Sequence, residues 1–164
     1  MPATTTLADA LEFVRRGDVV AFRIPLAESS RLLGLFGAVE GTGFDIDVCG
    51  GSDARGRLCL LLRASGAAQL TCQRCLEPMA YRVELAVELR LVRSMTELDA
   101  DPQDSDAILA DAPVDLCALA EQEIELSLPI APAHATCALP GPAALKPANA
   151  DWRTTLAALR DKSG

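Results

Sequence analysis

From Tyr81 to Val92 apolar and charged side chains alternate almost without a break. Tyr81, Val83, Leu85, Val87, Leu89 and Leu91 fall on one side, and Arg82, Glu84, Glu88 and Arg90 on the other. A period of two sends successive side chains to opposite faces of an extended chain, so a long antiparallel strand near 80–93, buried on one side, is expected. Phe44, Ile46 and Val48, set against Asp45 and Asp47, predict a second half-buried strand near 43–49. Shorter apolar runs near 18–24, 57–64 and 68–72 complete the set, with Gly50-Gly51-Ser52-Asp53 expected as a turn. Pro25 ends the first of these strands or marks it as an edge.

Helical spacing takes over elsewhere. Thr6 is the expected cap of a helix near 6–16, with Leu7, Leu11 and Val14 on one stripe and Gly17 at its end. Asp115 caps a second near 115–128, where Leu116, Leu119, Ala120, Ile124 and Leu128 recur before Pro129 stops it. A third, near 151–161, carries Trp152, Leu156 and Leu159. Glu28 to Phe36 fits a helix as well as an extended segment. The fold class expected from these elements is α+β, a mostly antiparallel β-sheet covered by three or so helices, with closure into a small barrel as one arrangement of the strands. Between elements, 95–112 reads as a mobile acidic loop and 129–147 as a proline-rich segment.

A chain of 164 residues, half of them hydrophobic, suffices for one domain over 1–164 with a proper core. Fifteen Lys and Arg against twenty-three Asp and Glu give a net charge of −8, which disfavours tight binding to bare nucleic acid through bulk electrostatics. A basic partner or a ribonucleoprotein surface suits such a chain better. No run approaches the roughly 20 apolar residues of a membrane span. Met1 to Thr6 lacks the basic start of a secretory leader, so a cytoplasmic protein with reduced thiols and no membrane partner is expected. On that basis the six cysteines, at 49, 59, 72, 75, 117 and 137, are not a disulfide framework.

Two of them form the motif Cys72-Gln73-Arg74-Cys75, and His134 and Cys137 repeat the same two-residue gap. Thiolate and imidazole are the donors zinc takes most readily, and two short clips supply the four that a tetrahedral ion needs. Zinc on Cys72, Cys75, His134 and Cys137 is therefore one reading. A thiol pair without metal and a thiol-redox pair at Cys72 and Cys75 remain beside it. Leu76 occupies the position where glycine would let backbone N–H groups turn toward sulfur, so strain is expected there. A strand, not a helix, follows the motif, which removes the dipole that activates thioredoxin-like thiols. Cys49, Cys59 and Cys117 fall on apolar positions as packing residues. With one histidine, no phosphate loop and no nucleophile motif, the chain does not read as an enzyme.

Leu70-Thr71-Cys72-Gln73-Arg74-Cys75-Leu76-Glu77-Pro78, the stretch from Asp115 through Glu121 and Glu123 to Leu128-Pro129, Pro132-Ala133-His134 with Cys137, and Lys146-Pro147-Ala148-Asn149 ahead of Trp152 occur in that order. Together they resemble the YceD family of large ribosomal RNA subunit accumulation proteins. The resemblance implies a bacterial or plastid factor, often encoded beside a ribosomal protein gene, that supports accumulation of 23S rRNA through processing, protection or assembly of the pre-ribosomal large subunit. It places the family's Cys-x-x-Cys on Cys72 and Cys75, its Leu-Pro on Leu128 and Pro129, and its His and Cys on His134 and Cys137. Contact with RNA or a protein partner is then expected through a local patch of Arg74, Arg82 and Arg90, whose plain alternative is pairing with Glu84 and Glu88. The competing class is a metal-binding or thiol-redox protein using the Cys72/Cys75 pair.

Overall fold

Hydrophobic alternation is converted into one five-stranded sheet in the computed structural model, which describes residues 6–37, 41–99 and 106–139. In chain order the elements are β1 (Thr6–Leu7), α1 (Ala10–Arg16), β2 (Val19–Pro25), α2 (Ser30–Leu33), β3 (Gly43–Ser52), β4 (Leu58–Thr71), β5 (Pro78–Val92), α3 (Met95–Asp99), β6 (Ala107–Leu109), β7 (Val114–Asp115) and α4 (Leu116–Ser127). The sheet runs β2-β3-β4-β5-β6, antiparallel until the parallel β5–β6 pair, while β1 and β7 form a separate two-stranded ribbon. β2 and β6 are its edges. The sheet is open, not closed into a barrel, and the α+β class holds.

One face is the core. Ile24, Phe44, Ile46, Val48, Leu60, Leu62, Val83 and Leu89 are buried on it, and Ala10 and Val14 of α1 with Leu116, Ala120 and Ile124 of α4 join the same cluster. Fully burying side chains of this size contributes about 1.5–3 kcal/mol each, so this layer dominates the stability of the fold. The other face carries Asp45, Asp47, Arg63, Ser65, Arg82 and Glu84, the first paired with Arg23 at 2.6 Å.

Several expected boundaries move. The first helix is capped by Asp9, whose carboxylate accepts the N–H of Glu12 at 2.8 Å, and Thr6 instead pairs with Asp115 in the ribbon. Gly50 and Gly51 are not a turn: β3 continues through them, and the reversal lies at 53–57, where Asp53 accepts the N–H groups of Arg55 and Arg57. Gly50 is the place where α1 crosses the sheet, since a Cβ there would sit 2.6 Å from the Cα of Val14. Nor do 57–64 and 68–72 form two strands. They are one, β4, and Gly66 within it makes room for the ring of Phe44. Within the ambiguous 28–36 stretch only Ser30–Leu33 is α-helical, following a 3-10 turn at Leu26–Glu28 and capped by the buried Ser29, which accepts the N–H of Leu32 at 3.1 Å.

The acidic segment 95–112 contains α3 and β6 in its described parts. The expected helix near 151–161 and the Lys146-Pro147-Ala148-Asn149 stretch lie outside the described residues. Among the described residues no helix is long and apolar enough to cross a membrane.

Candidate metal centre

β4 delivers Cys72 at its end, and the six residues from Cys72 to Glu77 turn the chain into β5. Two backbone bonds close the turn: Cys72 donates to the carbonyl of Glu77, and Leu76 to the carbonyl of Cys72, both at 2.9 Å. The closure demands a left-handed residue, and Leu76 supplies it with φ 63, the one positive value for a non-glycine among the described residues. The expected strain at this position is therefore present, and the side chain points outward, 61% exposed.

The second clip arrives from α4. Asp115 accepts the N–H groups of Cys117 and Ala118 at 2.9 and 3.1 Å, fixing the start of the helix. At its end Leu128 turns extended ahead of Pro129, and the chain folds back onto the turn below β4. Gln73 N–H donates to the carbonyl of Pro132 at 2.8 Å, and His134 N–H donates to Cys72 Sγ at 3.4 Å. These backbone contacts set the register between the clips. Spacing alone does not reveal Pro132, because its contribution is a carbonyl.

The four donor side chains meet. One ligand atom from each of Cys72, Cys75, His134 and Cys137 lies within 4.8 Å of all the others, a group that could hold a metal ion. Cys72 Sγ is 3.8 Å from Cys137 Sγ, and Cys75 Sγ is 3.3 Å from His134 Nδ1. All six cysteines are free thiols. Cys72 is buried, and the other three donors are half-buried.

The electrostatics follow from that packing. Burial pushes the Cys72 thiol up, but the backbone N–H groups of Cys75, His134 and Arg74, with the Cys75 side chain, aim at its sulfur and bring its pKa down to about 5. Burial and the neighbouring sulfurs of Cys72 and Cys75 push Cys137 up. Without a cation the cluster therefore holds a thiolate at Cys72 readily and resists one at Cys137. Burial also raises Cys59 and Cys117, as befits packing thiols.

The expected arginine patch separates. Arg74 is exposed in the turn, and Arg82 is exposed but 3.1 Å from Glu84, the plain pairing. Arg90, only 7% exposed, does not continue the open row. Cys59, directly across from it on β4, is buried too, so this end of the outer face is covered.

A family model described as "Large ribosomal RNA subunit accumulation protein YceD" matches residues 60–159, a span that includes most of β4, all of β5 and α4, and Cys72, Cys75, His134 and Cys137. No curated protein and no solved structure gives a significant match to the chain.

Proposed function

The chain belongs to the YceD family, and on that premise we propose that it supports accumulation of 23S rRNA in the large ribosomal subunit, by processing, protection or assembly. The match over 60–159 is the observation that carries this reading. It acts by binding the pre-ribosomal large subunit, through its RNA or a ribosomal protein, in the cytoplasm and without catalysis, as one domain over 1–164. Of the three arginines, Arg74 and Arg82 have the exposure for direct contact. Depletion should lower 23S relative to 16S rRNA, and an unchanged ratio would sink the ribosomal role.

Cys72, Cys75, His134 and Cys137 bind one structural zinc ion in this reading. Bond lengths of about 2.3 Å to sulfur and 2.0–2.1 Å to nitrogen imply tetrahedral edges of about 3.8 Å between two sulfurs and about 3.5 Å between sulfur and nitrogen. The Cys72–Cys137 separation of 3.8 Å equals the sulfur–sulfur edge, the Cys75–His134 separation of 3.3 Å lies just under the sulfur–nitrogen edge, and all four atoms lie within 4.8 Å of one another. The ion would join the β4–β5 turn to the segment after α4 and relieve the repulsion that holds Cys137 protonated. Metal analysis of protein purified under reducing conditions should find one zinc per chain, lost in Cys72→Ser and His134→Ala. Protein without metal, and with ordinary thiol titrations at Cys72 and Cys75, would remove both the zinc and the redox readings.

A further inference from the structure

Sequence spacing pairs Cys72 with Cys75, but the fold gives Cys72 a different neighbour. Its sulfur is 3.8 Å from that of Cys137, while Cys75 Sγ lies 3.3 Å from His134 Nδ1. Each clip is thus divided. One thiol of the β4–β5 turn faces a thiol of the segment after α4, and the other faces the imidazole.

The two facing sulfurs differ in access and in freedom. Cys72 is fully buried, and its backbone is held by the bonds from its own N–H to Glu77 and from the Leu76 N–H to its carbonyl. Cys137 is half-buried, on a stretch that belongs to no helix or strand. A small oxidant therefore reaches Cys137 before Cys72. The irregular segment can also supply the approach from 3.8 Å to the bonded sulfur–sulfur length of about 2.05 Å.

We propose that Cys72 and Cys137 are a redox-sensitive pair, which a peroxide joins in a disulfide across the two clips. The Cys137 thiol takes one oxygen from hydrogen peroxide and becomes a sulfenic acid, and the first water forms. Cys72 Sγ then attacks Cys137 Sγ. The S–S bond forms, the S–O bond breaks, and the hydroxyl leaves with the Cys72 thiol proton as a second water. Two thiols lose two electrons in all, and the peroxide gains them. Two equivalents of a small thiol reverse the step by exchange at Cys137, the more accessible sulfur. Once the bond exists, Cys75 and His134 are two donors where a tetrahedral ion needs four, so zinc leaves. That release rests on the zinc reading given above, whereas the pairing of the sulfurs does not. Oxidation exchanges one fastening between the turn and the segment after α4 for another, and it leaves Cys75 reduced.

The test uses the full chain, stripped of metal by a chelator under reducing conditions and then freed of reductant. It is treated with one equivalent of hydrogen peroxide, and the remaining thiols are alkylated. Trypsin cuts after Arg74 and parts Cys72 from Cys75, and a glutamate-specific protease cuts after Glu125 and parts Cys117 from Cys137. Mass spectrometry should find Cys72 linked to Cys137, Cys75 alkylated, and the link reopened by dithiothreitol. A main product in which Cys75 is linked to either partner, or the absence of any link, would overturn the inference. Cys75→Ser should form the same link, and Cys137→Ser should keep Cys72 reduced at the same dose; the opposite result in either variant overturns it as well. Protein loaded with zinc should release the ion to a chromogenic chelator in step with the link, and a link formed with zinc retained would refute the exchange. The two readings fail separately: a chain that never binds zinc still forms the link, and a chain that binds zinc without forming it keeps the metal and loses the pair.

Discussion

At Leu76 a γ-branched side chain sits in a backbone region that costs an L-residue roughly 1–2 kcal/mol. The strain was legible in the sequence, because the residue after Cys75 must turn; what the sequence hides is that Cys72 and Glu77 close the turn regardless. Since the side chain is largely exposed, Leu76→Gly relieves strain at little loss of packing, offset by the greater freedom of glycine in the unfolded chain. A gain of about 0.5–1 kcal/mol, read as a higher urea midpoint with m unchanged, is expected. Cys72 makes the second prediction at this scale. Its folded pKa near 5 lies below its ordinary value of 9.0, so its contribution to stability is complete above about 9 and is lost as pH falls toward 5. Metal-free protein should therefore show a urea midpoint that rises from pH 5 to pH 8, and Cys72→Ser should flatten that rise. Metal retention should fail over the same acid limb, because protons compete for the sulfur.

Among the elements, α4 carries the core and the second clip together. Removing its cap with Asp115→Ala should cost about 1 kcal/mol. Ile124→Ala, at a fully buried position, should cost about 2–5 kcal/mol in chemical denaturation. Both should also speed amide exchange at His134, because the segment beyond α4 depends on where the helix ends. The strands with strict alternation, β3 and β5, were legible from period alone, as was α4 from its cap and apolar stripe. The glycines misled. Gly50 read as part of a turn and the runs 57–64 and 68–72 as separate strands, yet Gly50 and Gly66 each lie inside a strand where another group approaches too closely for a Cβ. Period gives no sign of which body lies over a strand, and for the same reason it placed Arg90 on an open face. Thr6 went to the ribbon because its partner, Asp115, is more than a hundred residues away and invisible to local pattern.

For the molecule as a whole, the four side chains that could hold a metal ion were readable from two equal gaps, whereas their meeting depends on β5 and α4 carrying the chain out and back. Metal removal should therefore be felt at long range. Chelation is expected to raise exchange throughout 129–137 and in the turn from Cys72 to Glu77, while the interior of β3 stays protected. Uniform exchange in both states would show the clip to be energetically idle. The contact between Cys72 and Cys137 spans 65 positions, and this has a topological consequence. With a metal in place, the chain from β5 through α4 becomes a ring sealed by coordination bonds, and β2 and β3 hang from it as an open arm. A single tryptic cut at the exposed Arg93 then opens the ring without dividing the particle. In mild urea the two pieces should part when a chelator is added and stay together when it is not.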